Sequence, residues 1–394
     1  MLQNHFRKNR IADTALLPVA YSDQVEPSSM FNSKSLALSL STLKSTQANF
    51  CKEIQDSLSG KKTSLKFILH SLSSNPLVSI DETFQVMVIG GSVFKESLVK
   101  NKGASIILSD KKQDKLPIFK TKNDFFIFIE THLRPSIKTV ALNFAYPLKP
   151  VSENGKLDGI LISGVKEHTF TGLVGKQIGR ELETHFWKKY QRKISFALAN
   201  DTVCLLLSGL GKATQDNLAC GIVGTGVNLA FFLNDNKLVN LESAGFDKFP
   251  ISLEAKEIDI ASTHPGQSLF EKETAGAYLY QHFNSIIKKH GLPYSPLATT
   301  WELKKLAMQN SSLQSAIAKV LIKKSAALIA AQIAGIVLFK THDMTFVMDG
   351  SFFWGEDIYK QFVEDYLRVL IPDRKVTFIS IPNSTFLGAA KLVC

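Results

Sequence analysis

Cysteine is scarce in this chain: four in 394 residues, Cys51, Cys204, Cys220 and Cys394. None belongs to a CxxC pair and none has a histidine at ligand spacing, which argues against a disulfide scaffold and a zinc ribbon. That usage suits reduced, partly buried thiols in a cytoplasmic protein. Long apolar runs are missing too. The longest, residues 325–339, falls short of the ~20 residues a bilayer crossing needs and contains Gln332, so a buried helix is expected in place of a transmembrane segment. Arg7, Lys8 and Arg10 are not followed by an apolar core of signal-peptide length, and residues 1–34 read as a poorly ordered leader. No GxGxxG spacing occurs, which removes a single Rossmann dinucleotide domain. A long basic arm is absent as well. The 46 Lys+Arg against 35 Asp+Glu are spread in pairs such as Lys61-Lys62 and Lys188-Lys189. Such an excess attracts acidic partners; nucleic acid, an anionic membrane and phosphorylated metabolites fit it equally, and so does a plain solvated surface.

What is present is a globular composition, 45% hydrophobic and 21% charged, in a chain longer than one hydrophobic core usually supports. Apolar residues recur at helical spacing from Ser35 to about Leu72, with a break at Ser59-Gly-Lys-Lys62. Short β-branched runs then predict strands at 83–89, 104–108, 139–144, 157–164, 193–199, 220–223, 227–232 and 346–348. Helices are expected at 125–133, at 172–189, over a long zone from 269 to 340, and after 356. Strands and helices alternate in two successive groups, which predicts two α/β lobes.

Three strands run into glycine turns: Val88-Ile-Gly-Gly-Ser92, Gly221-Ile-Val-Gly-Thr-Gly226 and Val347-Met-Asp-Gly-Ser351. Glycine lets backbone N–H groups approach an anion closely. A strand–Gly–Gly turn is also an ordinary hairpin, but three of them spread over both groups make a phosphate site the sharper reading. At Ala197-Leu-Ala-Asn-Asp-Thr202 a strand delivers a carboxylate at its C-terminal end, where open α/β sheets bind ligands. Asp201 can accept a proton from an attacking hydroxyl, or it can simply cap the apolar helix that follows.

These segments resemble the hexokinase family in order from Phe84 to Ala390. Ala197–Thr202 is similar to ALVNDT and Gly221–Asn228 to GxIVGTGxN. Val239-Asn-Leu-Glu242 with Gly245-Phe246 is similar to INMEWGAFG, and Ser262–Lys272 to SxNPGxQLFEK. Asp349-Gly-Ser351 matches the adenosine-site DGS and Gly388-Ala-Ala390 the C-terminal GAA. Phe144-Ala-Tyr-Pro147 and Gly159-Ile-Leu161 with Lys166 resemble FSFP…GIL…WTKGF. The resemblance implies a two-lobed actin-like (ribonuclease H-like) α/β ATPase fold. Its small lobe would take 75–208 plus 382–394, and its large lobe 35–74 plus 209–381.

The activity implied is transfer of the ATP γ-phosphoryl group to the 6-hydroxyl of a glucose-type hexose. Asp201 would be the general base. Lys166, Asn200, Asn228, Glu242 and Glu271 would contact the sugar. Gly90, Gly91, Ser92, Lys95, Gly224, Thr225 and Gly226 would face the phosphates, and Gly350 and Ser351 the adenosine. Partners would be a hexose and ATP, with no nucleic acid, in a monomer or homodimer.

The chain departs from the family pattern at Val88, where an aspartate normally helps hold the nucleotide's Mg²⁺. The metal would then be brought by the ATP, with its protein-side holder lost and no metal site on the chain. Lys95 replaces an arginine, Ala145 a serine, Val165 a threonine, His264 an asparagine, and Ser243-Ala244 a Trp-Gly pair. The alternative is a catalytically impaired homologue that binds sugar and nucleotide as a sensor or regulator.

Overall fold

The computed structural model describes residues 36–394 apart from 73–74, 104, 154, 165–166, 310–311 and 356–357. The expected leader, Val165 and Lys166 therefore lie outside the described residues. The described chain opens with helix α1 (Leu40–Leu58), which Ser39 caps by accepting the Thr42 N–H. Strand β1 (Ile68–Ser71) follows and joins the second of two sheets.

The first sheet holds β2 (Thr83–Ile89), β3 (Val93–Asn101), β4 (Ile106–Lys115), β5 (Thr139–Phe144) and β8 (Ser195–Ala199). Its order is β4-β3-β2-β5-β8: an antiparallel meander whose first strand pairs in parallel with β5, and β5 with β8. Strands β6 (Leu148–Glu153) and β7 (Lys156–Leu161) form a separate hairpin. Helices α2 (Lys122–His132), α3 (Ile178–Tyr190) and α4 (Asp201–Ser208) complete this half.

The second sheet repeats the pattern. Strands β9 (Leu218–Val223), β10 (Val227–Asn234) and β11 (Lys237–Asn240) form an antiparallel meander. Strand β9 pairs in parallel with β12 (Met344–Asp349), and β12 with β13 (Val376–Ile379). The helices of this half are α5 (Leu253–Ala261), α6 (Leu269–Thr274), α7 (Leu279–Lys289), α8 (Thr300–Met308), α9 (Leu313–Lys340), α10 (Ser351–Trp354) and α11 (Ile358–Leu370), whereas α12 (Ser384–Ala390) returns to pack on α4, β2 and β5 of the first half. Twice over, then, a three-stranded meander carries two parallel strands on its first strand, which is the actin-like arrangement.

Helix α9 is long and apolar enough to cross a bilayer, but 89% of its most apolar stretch is buried inside the protein. A helix that is hydrophobic all round belongs in a core. Gln332 is fully buried there and donates to the Ser243 carbonyl at 3.2 Å, so the polar residue in that run steadies the turn after Glu242.

The two sheets share an apolar core through α4 and α12. Val86, Val88, Ala199, Val203, Cys220, Phe232, Ala389 and Ala390 all lie in it. A Cβ at Gly388 would sit 1.7 Å from the Cys204 carbonyl oxygen, so only glycine allows α12 to lie this close to α4.

Several elements differ from the sequence expectation. Helix α3 begins at Ile178, because residues 172–177 form turns tied to Leu161 and Phe170. Strands β1, β3, β6, β11 and β13 and helix α12 were not expected. The strand read at 104–108 is the start of the longer β4.

Candidate active site

Strand β8 ends at Ala199, and Asn200 takes the cap position of α4, its side-chain oxygen accepting the Thr202 N–H at 2.9 Å. That removes the simple capping role for Asp201. The carboxylate instead occupies the first helical position and accepts the same N–H at 2.8 Å. Asp201 keeps one edge on the cleft, yet protein surrounds the rest of it. Burial pushes its carboxyl up to about 6, partly offset by the Thr202 N–H and reinforced by the negative charge of Glu242.

The turn joining β9 to β10 is Gly224-Thr225-Gly226. It is closed by the Gly224 N–H on the Gly226 carbonyl (2.9 Å) and braced from outside by Gly276 N–H on the Gly224 carbonyl (2.9 Å). A Cβ at Gly226 would meet the Glu271 Oε2 at 2.5 Å, so this glycine makes room for a carboxylate. Glu271, on α6, also accepts the Val227 N–H at 3.1 Å. Burial raises its carboxyl, against the opposing pull of that N–H.

On β10 the Asn228 amide donates to Thr202 Oγ1 (3.0 Å), Asn240 Oδ1 (2.8 Å) and Glu242 Oε1 (3.3 Å). Asn240 donates to the same glutamate oxygen at 2.9 Å. Glu242 itself has a left-handed backbone, φ 51°, a costly conformation for a residue with a side chain. At the rim the Lys66 ammonium stands 3.4 Å from its other oxygen.

These groups converge on a cavity of about 490 Å³. Asn200, Asp201, Asn228, Glu242, Glu271, Gly224, Thr225, Gly226, Gly350 and Ser351 all line it. Four of the other glycine-turn candidates do not. Gly90, Gly91 and Ser92 form the β2–β3 turn, where the Gly90 N–H bonds the Val93 carbonyl at 3.0 Å, and neither they nor Lys95 line this cavity. Val88 is 7% exposed within the shared apolar core. Lys95 stands directly across from it in β3 on the same sheet face.

Thr202, Ala244, Ser268 and Asp349 line the cavity as well; they fall inside the motifs quoted from the sequence, where no site role was assigned to them. Ser268 had a signal. Ser268-Leu-Phe-Glu271 reads as a helix capping box, yet Ser268 makes no capping bond, takes φ 50° and faces the cavity beside Glu271. A capping motif that does not cap marks side chains held for another purpose. The lining carries four carboxylates, Asp201, Glu242, Glu271 and Asp349, and no lysine, arginine or histidine among the described residues. Nor do three Asp, Glu, His or Cys side chains converge as a metal cage among the described residues.

The fold places the chain among two-lobed actin-like sugar-kinase structures. A hexokinase crystal structure superposes with TM-score 0.75 at 19% identity, over 92% of this chain and 98% of that one. The Schistosoma mansoni hexokinase complexed with glucose gives 0.69 at 17% identity, over 92% and 96%.

Two family models, both described as hexokinase, match residues 32–210 and 282–394, and the chain belongs to the hexokinase family. Hexokinase-5 of Oryza sativa is 25% identical over 257 residues, 57% of this chain and 50% of the relative. The chain thus spans about half the length of that curated relative.

Proposed function

We propose that this protein is a hexokinase in activity as well as in family: it moves the γ-phosphoryl group of ATP to the 6-hydroxyl of a glucose-type hexose. The observation that carries the reading is Asp201. It is a carboxylate tuned to about 6 at the floor of a cavity whose other walls are Asn228, Glu242 and Glu271. A hexose presents hydroxyls all round its ring, and fixed amide and carboxylate partners reject ligands that would leave them unpaired.

Asp201 takes the proton of the 6-hydroxyl as its oxygen bonds to the γ-phosphorus. The bond from phosphorus to the bridging oxygen breaks, and ADP leaves. Asn200, Asn228, Glu242 and Glu271 hold the remaining hydroxyls. The Gly224–Gly226 turn meets the phosphates through the Thr225 and Gly226 N–H groups, the Gly224 N–H being spent on closing the turn, and Gly350 with Ser351 faces the adenosine. A divalent ion enters as part of the nucleotide substrate. Val88 offers that ion no oxygen donor. All four cysteines are free thiols, which fits a reducing, cytoplasmic setting.

A coupled assay for hexose 6-phosphate with Mg-ATP tests this. The native protein should turn over, and Asp201→Ala should lower kcat by roughly 10²–10⁴-fold while hexose still binds. Turnover that survives Asp201→Ala removes the base assignment. A silent native chain that gains activity in Val88→Asp would support the sensor reading instead.

A further inference from the structure

Lys272 is the neighbour of Glu271 in α6 and is 4% exposed. Its ammonium has three donors and three acceptors in place: Asp259 Oδ1 at 2.5 Å, Ser262 Oγ at 2.9 Å and the His264 carbonyl at 2.9 Å. Asp259, near the end of α5, also accepts the Gly266 N–H on both of its oxygens at 3.0 Å. One ion pair, its lysine buried and its aspartate half-buried, therefore ties the α5–α6 connection to the helices on both sides. That connection, residues 262–268, has no regular structure, and it ends at Ser268 in its left-handed conformation on the cavity wall.

Burying an ammonium and a carboxylate is costly, and apolar replacements of such pairs are often just as stable. What an apolar pair cannot do is hold a loop by three directed bonds. We propose that Lys272 and Asp259 are positioning residues that fix Ser268 and Glu271 against the substrate, and so set hexose affinity without touching the hexose. This rests on the hexokinase reading for the identity of the ligand. The pair's bonds go to α5, α6 and the connection between them alone, and none reaches Gly350 or Ser351 at the end of β12. Hexose and nucleotide should accordingly respond differently.

The test uses the full chain as Lys272→Met and as the double variant Lys272→Met/Asp259→Leu, which removes both charges and so spares the fold an unpaired, half-buried carboxylate. Hexose KM should rise about tenfold or more in both, with nucleotide KM within about twofold of native. The double variant should recover the native melting temperature without recovering hexose KM. Recovery of hexose KM along with stability would overturn the proposal, as would an unchanged KM in Lys272→Met.

Hydrogen exchange at the Val227 amide, which Glu271 holds, gives a readout that needs no sugar. It should accelerate about tenfold in the double variant. If the native protein neither binds nor phosphorylates a hexose, the hexokinase reading fails by itself. The exchange result then still decides whether the pair positions Glu271, and unchanged exchange overturns that.

Discussion

At the scale of single residues, Asp201 ties chemistry to stability. Its carboxyl rests at about 6 because the protein surrounds it, against about 3.9 in an unfolded chain. Below both values the folded and unfolded states are equally protonated. Between them the folded state binds the extra proton, so stability falls as pH rises through this window and stays reduced above it. Asp201→Asn keeps the shape and loses the charge. It should therefore melt higher than the native protein at neutral pH, by roughly 2–3 kcal/mol, with the gap closing toward about pH 4. With Asp201 as the proposed general base, kcat/KM should fall about tenfold per unit below pH ~6 as its carboxylate protonates. Calorimetry across pH and a pH–rate profile check the two together. A variant that melts lower at neutral pH would show that the carboxylate is not held at a cost.

At the scale of elements, the contact of α12 with α4 makes the sharpest demand. A Cβ at Gly388 would lie 1.7 Å from the Cys204 carbonyl, whereas one at Gly224 would meet only Gly350 Cα at 3.6 Å. Gly388→Ala must push the helices apart and should cost more than about 3 kcal/mol in urea unfolding. Gly224→Ala should cost well under about 1 kcal/mol. Comparable losses in both would mean that the close approach is not what Gly388 is for.

The elements also show which parts of the molecule the sequence displays. Strands β2, β5 and β9 sit in sheet interiors, so their apolar runs were legible; of the segments that follow strands, the Gly224 turn after β9 and Asn200-Asp201 after β8 line the cavity, and the Gly90 turn after β2 does not. Strand β3 was hidden because its inward positions include Glu96 and Ser97, both buried. Glu96 is there because Gln85 donates to it at 3.0 Å and Arg134 lies 3.4 Å away. A buried charge with partners breaks the alternation by which strands are recognised. The second part of β4 was hidden for the opposite reason: it is an edge strand, and Asp110-Lys-Lys-Gln-Asp-Lys115 keeps that edge from pairing with other chains. Helix α3 starts late because its cap comes from elsewhere. Gln177 makes no capping bond, and the buried Asp158 of β7 accepts the Gly179 and Arg180 N–H groups at 2.9 and 3.1 Å. No local pattern reveals a cap supplied from another element.

At the scale of the whole molecule, the cavity is unevenly shared. Asn228, Glu242, Glu271 and the Gly224 turn come from the second half of the chain, and Asn200 with Asp201 from the first. The Gly90 turn and Lys95, also from the first half, do not line it. Among the described residues the cavity lining carries four carboxylates and no cation, with the Lys66 ammonium only at the rim by Glu242, and a polyanionic nucleotide would add to that negative charge. For phosphoryl transfer the first half has to bring positive charge and exclude water, which would otherwise accept the phosphoryl group. The two sheets are joined through α4 and α12, which meet at Gly388, so a rotation of the halves about that contact would carry the β2–β3 turn with the first sheet. A hexose bridging Asp201 to Glu242 and Glu271 would bias that rotation, because it bonds both halves only when they approach. Small-angle scattering should then show the radius of gyration fall by about 1 Å on adding glucose. Glu271→Gln should need more sugar for the same change, and a non-hydrolysable ATP analogue alone should produce less of it. A glucose-saturated protein with an unchanged radius would mean that the halves are locked as they stand, with Lys95 left too far away to serve the phosphates.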